Sequence, residues 1–343
     1  MKIFIVTLLL ATPILTLSQA NGSFSFETDT AKKEIRVLYN GQLMTAYCYY
    51  DSSRKPFLGL VNTIEGITVT RSYPFKMVPG ERTDHPHHTG IWLNYESVNG
   101  LDFWNNSTAI PPERRGRYGT IVHTGVGEMQ TKANTARLTV FCHWISPENK
   151  VLLKEATIFH FMMNSKTFLV SRTTKLTAVD TTVEFKDVKD GLFAIRVARE
   201  LEQPSKEPSN YVDEKGNISD TPPPGKEPTG QYTSSNGLKG DSVWGTRANW
   251  VMLQGKKEGK EIIIAIFDHP DNPGYPAYWH ARGYGLFAVN PLGQKVFSKG
   301  EKELNLTLKP GENVTFRFSL IVSTDKIGVQ EIEKLASVFK QNF

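Results

Sequence analysis

Cysteine is scarce in this chain: Cys48 and Cys142 are the only two among 343 residues. Neither has a second cysteine near it, which excludes a dicysteine zinc site. In an oxidising compartment the two thiols can pair, and spacing alone leaves paired and free states open. Long apolar runs are absent after the first twenty residues, so no later membrane-spanning helix is expected. Basic blocks are missing too. The formal net charge of +5 is spread along the chain, which argues against a nucleic-acid partner. No HExxH motif occurs, and no alternation of strands with helices marks a parallel α/β sheet.

The opening "MKIFIVTLLLATPILTLSQA" has one positive charge, Lys2, then an apolar stretch, then small residues at Ser18 and Ala20. This is the pattern of a signal peptide cleaved after Ala20. Residues 21–343 are then expected to be one exported domain, periplasmic or secreted, with no membrane span.

Most of the remainder reads as strands. "EIRVLYN" (34–40) and "LMTAYCYYD" (43–51) flank Asn40-Gly41, a strong hairpin signal. In "RLTVFCHW", Leu138, Val140 and Cys142 alternate with Arg137, Thr139, Phe141 and His143. That period of two places one face of a sheet on a core. Similar runs recur to residue 324. The fold class expected is all-β, a large antiparallel β-sandwich. At the end, Val329, Ile332, Leu335, Ala336 and Phe339 share one face of a short C-terminal helix, which should pack on a sheet edge. Residues 203–243 are rich in Pro, Gly, Ser and Lys. They form either a disordered linker or a long excursion over one mouth of the sandwich.

Chemistry concentrates in "RTDHPHHTGIWLNYESVNGLDFW" (82–104). His85, His87 and His88 can orient hydroxyls or move protons near neutral pH. Three readings stay open for them: a polar-ligand site, a transition-metal site, and histidines that only satisfy turn carbonyls. Glu81 and Asp84 can orient the imidazoles. Glu155, a carboxylate inside the apolar strand "VLLKEATIF", is the candidate acid or base. Arg71 and Arg247 can clamp vicinal hydroxyls or a carboxylate. Trp92, Trp279, His280 and Asn290 complete the candidate substrate contacts, since aromatic faces with planar donors suit sugars. No cofactor and no committed metal ligand follow from the sequence; the expected partner is a carbohydrate or small polar ligand.

The segments "VTRSYP", "DHPHHTGIWLNYESVNGLDFW", "GLFAIRVARELE", "WGTRANW" and "FDHPDNPGYPAYWHARGYGLFAVNPLG" together resemble the PmoA-like family of exported bacterial proteins. Members often carry the label "methane oxygenase". That activity does not carry over: particulate methane oxygenase is a membrane complex, and this chain has a mean hydropathy of −0.34. The resemblance implies a galactose mutarotase-like supersandwich related to aldose-1-epimerases, which bind sugars in a cleft. The resulting expectation is an exported carbohydrate-active protein using acid/base chemistry of the epimerase, lyase or hydrolase type. A non-catalytic glycan-binding protein and a metalloprotein built on the HxHH turn are the alternatives.

Overall fold

The computed structural model describes residues 22–342. The expected signal peptide lies outside the described residues. Two eight-stranded antiparallel sheets dominate. Edge to edge, the first sheet contains Phe24–Asp29, Glu34–Tyr39, Gln42–Cys48, Phe57–Gly59, Ile91–Tyr95, Gly191–Arg196, Leu286–Asn290 and Tyr278–Ala281. The second contains Gln231–Ser234, Trp250–Lys257, Lys260–Asp268, Asn313–Ser323, Thr167–Ala178, Val151–Asn164, Thr135–Ile145 and Thr120–Lys132. The expected sandwich is therefore present. The hairpin at Asn40-Gly41 is present as well, with φ of 52° and 78° at the two turn residues. Both values fall in the left-handed region that such turns require.

Alternation decides what each face meets. In the first sheet Ile91, Leu93, Phe193, Ile195, Phe287, Val289 and Trp279 point inward. They meet Leu138, Val140, Leu176, Phe318 and Leu320 of the second sheet in one core. Phe193 lies parallel to Phe318 across the interface, with centroids 5.1 Å apart. The opposite parity of the first sheet puts Trp92, Ala194, Ala288 and His280 in one row across four strands. This row belongs to the outer face.

The outer face of the second sheet is covered by the helix Val329–Asn342. Ile332, Ala336 and Phe339 pack on Leu169, Trp250, Met252, Ile263, Ala265, Phe267 and Ile321. The helix thus covers a sheet face rather than an edge, and Val329 stays exposed. Among the described residues, no helix is long and apolar enough to cross a membrane. Cys48 and Cys142 are both free and buried.

Residues 203–243 form an anchored strap. Tyr211 bridges to Arg82, and the bonds Gly80 N–H to Val212 O (2.8 Å) and Thr83 N–H to Asn210 O (2.9 Å) extend the contact. Gln231–Ser234 then joins the second sheet as its edge strand. That strand was not expected from so polar a stretch; an edge position needs partners on one side only.

Candidate functional site

The histidine turn sits on the outer face of the first sheet, just before Ile91–Tyr95. Its backbone is held from beneath. Arg71, 4% exposed, donates from its two terminal nitrogens to the carbonyls of Arg82, Asp84, His85 and His88 at 2.8–3.2 Å. It also donates to Asp84 Oδ1 at 2.8 Å. Arg71 is therefore a turn-pinning residue, its fork occupied by backbone. Arg196 adds a second guanidinium: it donates to Asp84 Oδ1 at 2.7 Å and meets His88 Nδ1 at 3.1 Å. Burial alone would raise the Asp84 carboxyl. The His85 contact and the two guanidinium groups outweigh it and hold the carboxyl well below the usual range.

The three imidazoles have different surroundings. His88 is sealed between His85 (4.8 Å, 3° between planes) and Trp92 (5.2 Å). His87 is edge-on to His88 at 4.3 Å and also buried. Burial pushes both well below the usual histidine range; Lys55 adds to this at His87, and the neighbouring His87 and Arg196 add to it at His88. Both are neutral at pH 7. His85 alone is open to solvent, its side chain 41% exposed, with Nδ1 3.4 Å from Asp84 Oδ1. Stacked rings direct their nitrogen lone pairs along the ring planes and away from a shared point. Accordingly, among the described residues no group of three or more His, Cys, Asp or Glu side chains is placed to hold a metal ion.

From His85 an aromatic and cationic track crosses the face. Tyr284 stacks on His85 at 5.0 Å, and the Arg282 guanidinium lies 5.5 Å from the Tyr284 ring and 5.8 Å from Trp244. Trp244 then meets His280 edge-on at 6.3 Å. Arg282 is fixed by Glu207 at 2.7 Å. Beside this track lies a cleft of about 770 Å³ walled by Pro204–Pro208, Asp241, Trp244 and Arg282. His280 stands 3.3 Å from Asp190, forming a second His–Asp pair. Burial lowers His280, with Asp190 opposing. Buried polar atoms on this face that make no hydrogen bond include His87 Nε2, Trp92 Nε1 and Asn94 Oδ1.

Other residues singled out in the sequence lie elsewhere. Glu155 is on the inner face of the second sheet, where it accepts from Trp144 Nε1 and Arg172 at 2.8 Å each and from Thr157 at 2.6 Å. The whole first sheet separates it from the imidazoles. Its inward parity was readable; which sheet would carry it was not. Trp279 also faces inward, its Nε1 donating to Ala248 O at 2.9 Å. Arg247 donates to the carbonyls of Gly274, Tyr275 and Pro276 at 2.7–3.2 Å and so fixes that loop. Asn290 uses its amide on Val188, Lys189, Leu292 and Gly293. Trp92 is the floor under His88, fully buried, and offers no face to a ligand. Glu81 accepts the backbone N–H groups of Ser72 and Tyr73 rather than orienting an imidazole.

Several residues of the site were not singled out. Arg196 was visible as a charge within the apolar run "GLFAIRVA". Tyr284 sat in a quoted segment without a distinguishing pattern, and Asp190 lay just outside one. Lys55 gave no signal at all. It is buried, donates to His87 O at 2.5 Å, and lies 5.4 Å from the Trp92 ring. Burial pushes it down to about 7, with Asp102 opposing.

An antiparallel β-sandwich with a histidine-lined outer face is thus the class of protein defined here. The chain belongs to the Family of unknown function (DUF6807), whose sequence profile matches residues 34–337. Comparison with curated proteins gives no match. Similar solved structures include the galactosidase domain of an α-galactosidase–sucrose kinase, with a TM-score of 0.40, 9% identity, and coverage of 88% of this chain and 42% of that one. A β-arabinopyranosidase matches with a TM-score of 0.31, 10% identity, and coverage of 89% and 39%. A galactose mutarotase-like protein from Lactobacillus casei matches with a TM-score of 0.33, 11% identity, and coverage of 87% and 99%. The chain spans about two-fifths of the length of the first two. At such scores and identities the likeness carries nothing about chemistry.

Proposed function

We propose that this is an exported carbohydrate-active enzyme in which His85 moves a proton on a hydroxylated ring lying along the track from His85 past Tyr284 to Arg282 and Trp244. The observation that carries the reading is the state of His85. Of three clustered imidazoles it alone reaches solvent, and its Nδ1 faces a carboxylate held ionised by two guanidinium groups. A histidine so backed can take a proton and return it. The exposed indole of Trp244 supplies an apolar face, while Arg282, Glu207 and Asp241 supply donors and acceptors around it. This combination suits a sugar ring. The His280–Asp190 pair supplies a second titratable group on the same face. The first twenty residues support placement in the periplasm or outside the cell.

The test is a substrate screen of the purified mature chain. Free aldoses are followed by NMR for anomer exchange or epimerisation, aryl glycosides for hydrolysis, and uronosides for unsaturated products. Conversion should fall by about 10²–10⁴-fold in His85→Ala while the fold is retained. Conversion that survives this change sinks the assignment of His85. Saturable sugar binding without conversion makes the protein a glycan-binding module instead.

A further inference from the structure

A second recess lies on the same outer face, behind the histidine turn. It has a volume of about 140 Å³ and is lined by Cys48, Tyr50, Phe57, Leu60, Phe75 and Thr89, with Arg71 at its inner wall. Phe57 and Phe75 lie parallel, with centroids 5.2 Å apart and planes within 7°. Tyr50 stands edge-on to both, at 5.8 and 5.3 Å. Leu60 and Phe75 remain 44% and 40% exposed at the rim. The exposed Leu60 is held at φ of 50°, an uncommon conformation for this residue type. Ser72, Tyr73 and Lys76 complete a lining whose accessible surface is mainly apolar, and a dry cavity of about 150 Å³ is large enough to take benzene.

Two buried polar atoms of lining residues make no hydrogen bond. Thr89 is 4% exposed and its Oγ1 has no partner. Arg71 is equally buried, and although its terminal nitrogens are occupied by the turn and its guanidinium lies 5.3 Å from the Tyr73 ring, its Nε makes no hydrogen bond. An N–H donor and a hydroxyl therefore flank a site shaped for a ring. The Cys48 thiol, pushed up to about 12 by burial, is not a nucleophile at neutral pH.

We infer that this recess binds a single six-membered aromatic ring carrying one oxygen acceptor, of the phenol class. The ring packs against Phe57 and Phe75, and its oxygen meets Arg71 Nε and Thr89 Oγ1. The site stands apart from the cleft beside Trp244 and does not depend on what that cleft binds.

The test is titration of the mature chain with phenol, read by calorimetry and ligand-observed NMR. One saturable site per chain is expected. Phe75→Ala, at a rim position that leaves the core intact, should weaken binding by about 3–10-fold. Thr89→Val, which keeps the shape and removes the hydroxyl, should weaken it about fivefold. His85→Ala should leave phenol affinity unchanged, so failure here is distinct from failure of the sugar reading. Absence of saturable binding overturns the inference, and so does an affinity unchanged in either Phe75→Ala or Thr89→Val.

Discussion

His85 lies flat on Tyr284, with ring centroids 5.0 Å apart and planes within 5°. His88 is parallel to the same imidazole at 4.8 Å and lies 6.4 Å from Tyr284, while the His85 side chain stays 41% exposed, so its edge is open. Edge access is what proton transfer and acylation require. Treatment with diethyl pyrocarbonate should modify His85 before His87 or His88, as read by peptide mass spectrometry. Modification of His87 or His88 at an equal rate would mean that the turn opens in solution.

Asp84 is the common partner of His85, Arg71 and Arg196. Asp84→Asn leaves two buried guanidinium groups facing a neutral amide. Loss of a buried partner of this kind costs about 3–5 kcal/mol. The side chain of Asp84 is 22% exposed, so the lower end is expected. Urea unfolding checks this; a midpoint within error of the parent protein would refute the pairing.

Glu155 should behave as a stability residue. Glu155→Gln keeps the shape but removes the charge that Arg172 faces in the interior, at an expected cost of about 3 kcal/mol or more. Any ligand affinity measured at the outer face should not change. A variant with normal stability and lost activity would instead return Glu155 to the catalytic group.

Lys55 predicts a pH dependence. Burial lowers it from 10.5 to about 7. Between those values the unfolded chain binds the extra proton, so its contribution to stability is full above about 10.5 and declines as pH falls toward 7. Below 7 the contribution should level off. Lys55→Met should flatten the stability profile between pH 7 and 10.5 relative to the parent, measured by urea unfolding at each pH. Parallel profiles for the two proteins would show that Lys55 does not titrate in that window.

The strands were readable because alternation is a local property. Leu138, Val140 and Cys142 point inward as their spacing requires. Parity also put Glu155 inside. What parity cannot specify is which of two sheets a strand joins, and that separated Glu155 from the histidines. The arginines failed differently. Arg71 and Arg247 bind carbonyl groups of loops whose direction is set by chain folding far from either residue. Arg196 was legible by the same rule applied to Glu155, a charge within an apolar strand. Lys55 stood in "SSRKPFLG", where nothing distinguishes a buried lysine from a solvated one.

Tyr211 lies 5.4 and 5.1 Å from the guanidinium groups of Arg82 and Arg199, which both donate to Glu202 Oε2. These contacts and the Arg282–Glu207 pair hold the neighbouring wall formed by Pro204–Pro208 in place. A ligand entering that cleft loses little free energy to organising its host. Selection by outline then operates from first encounter, and calorimetry should record only a small entropic penalty.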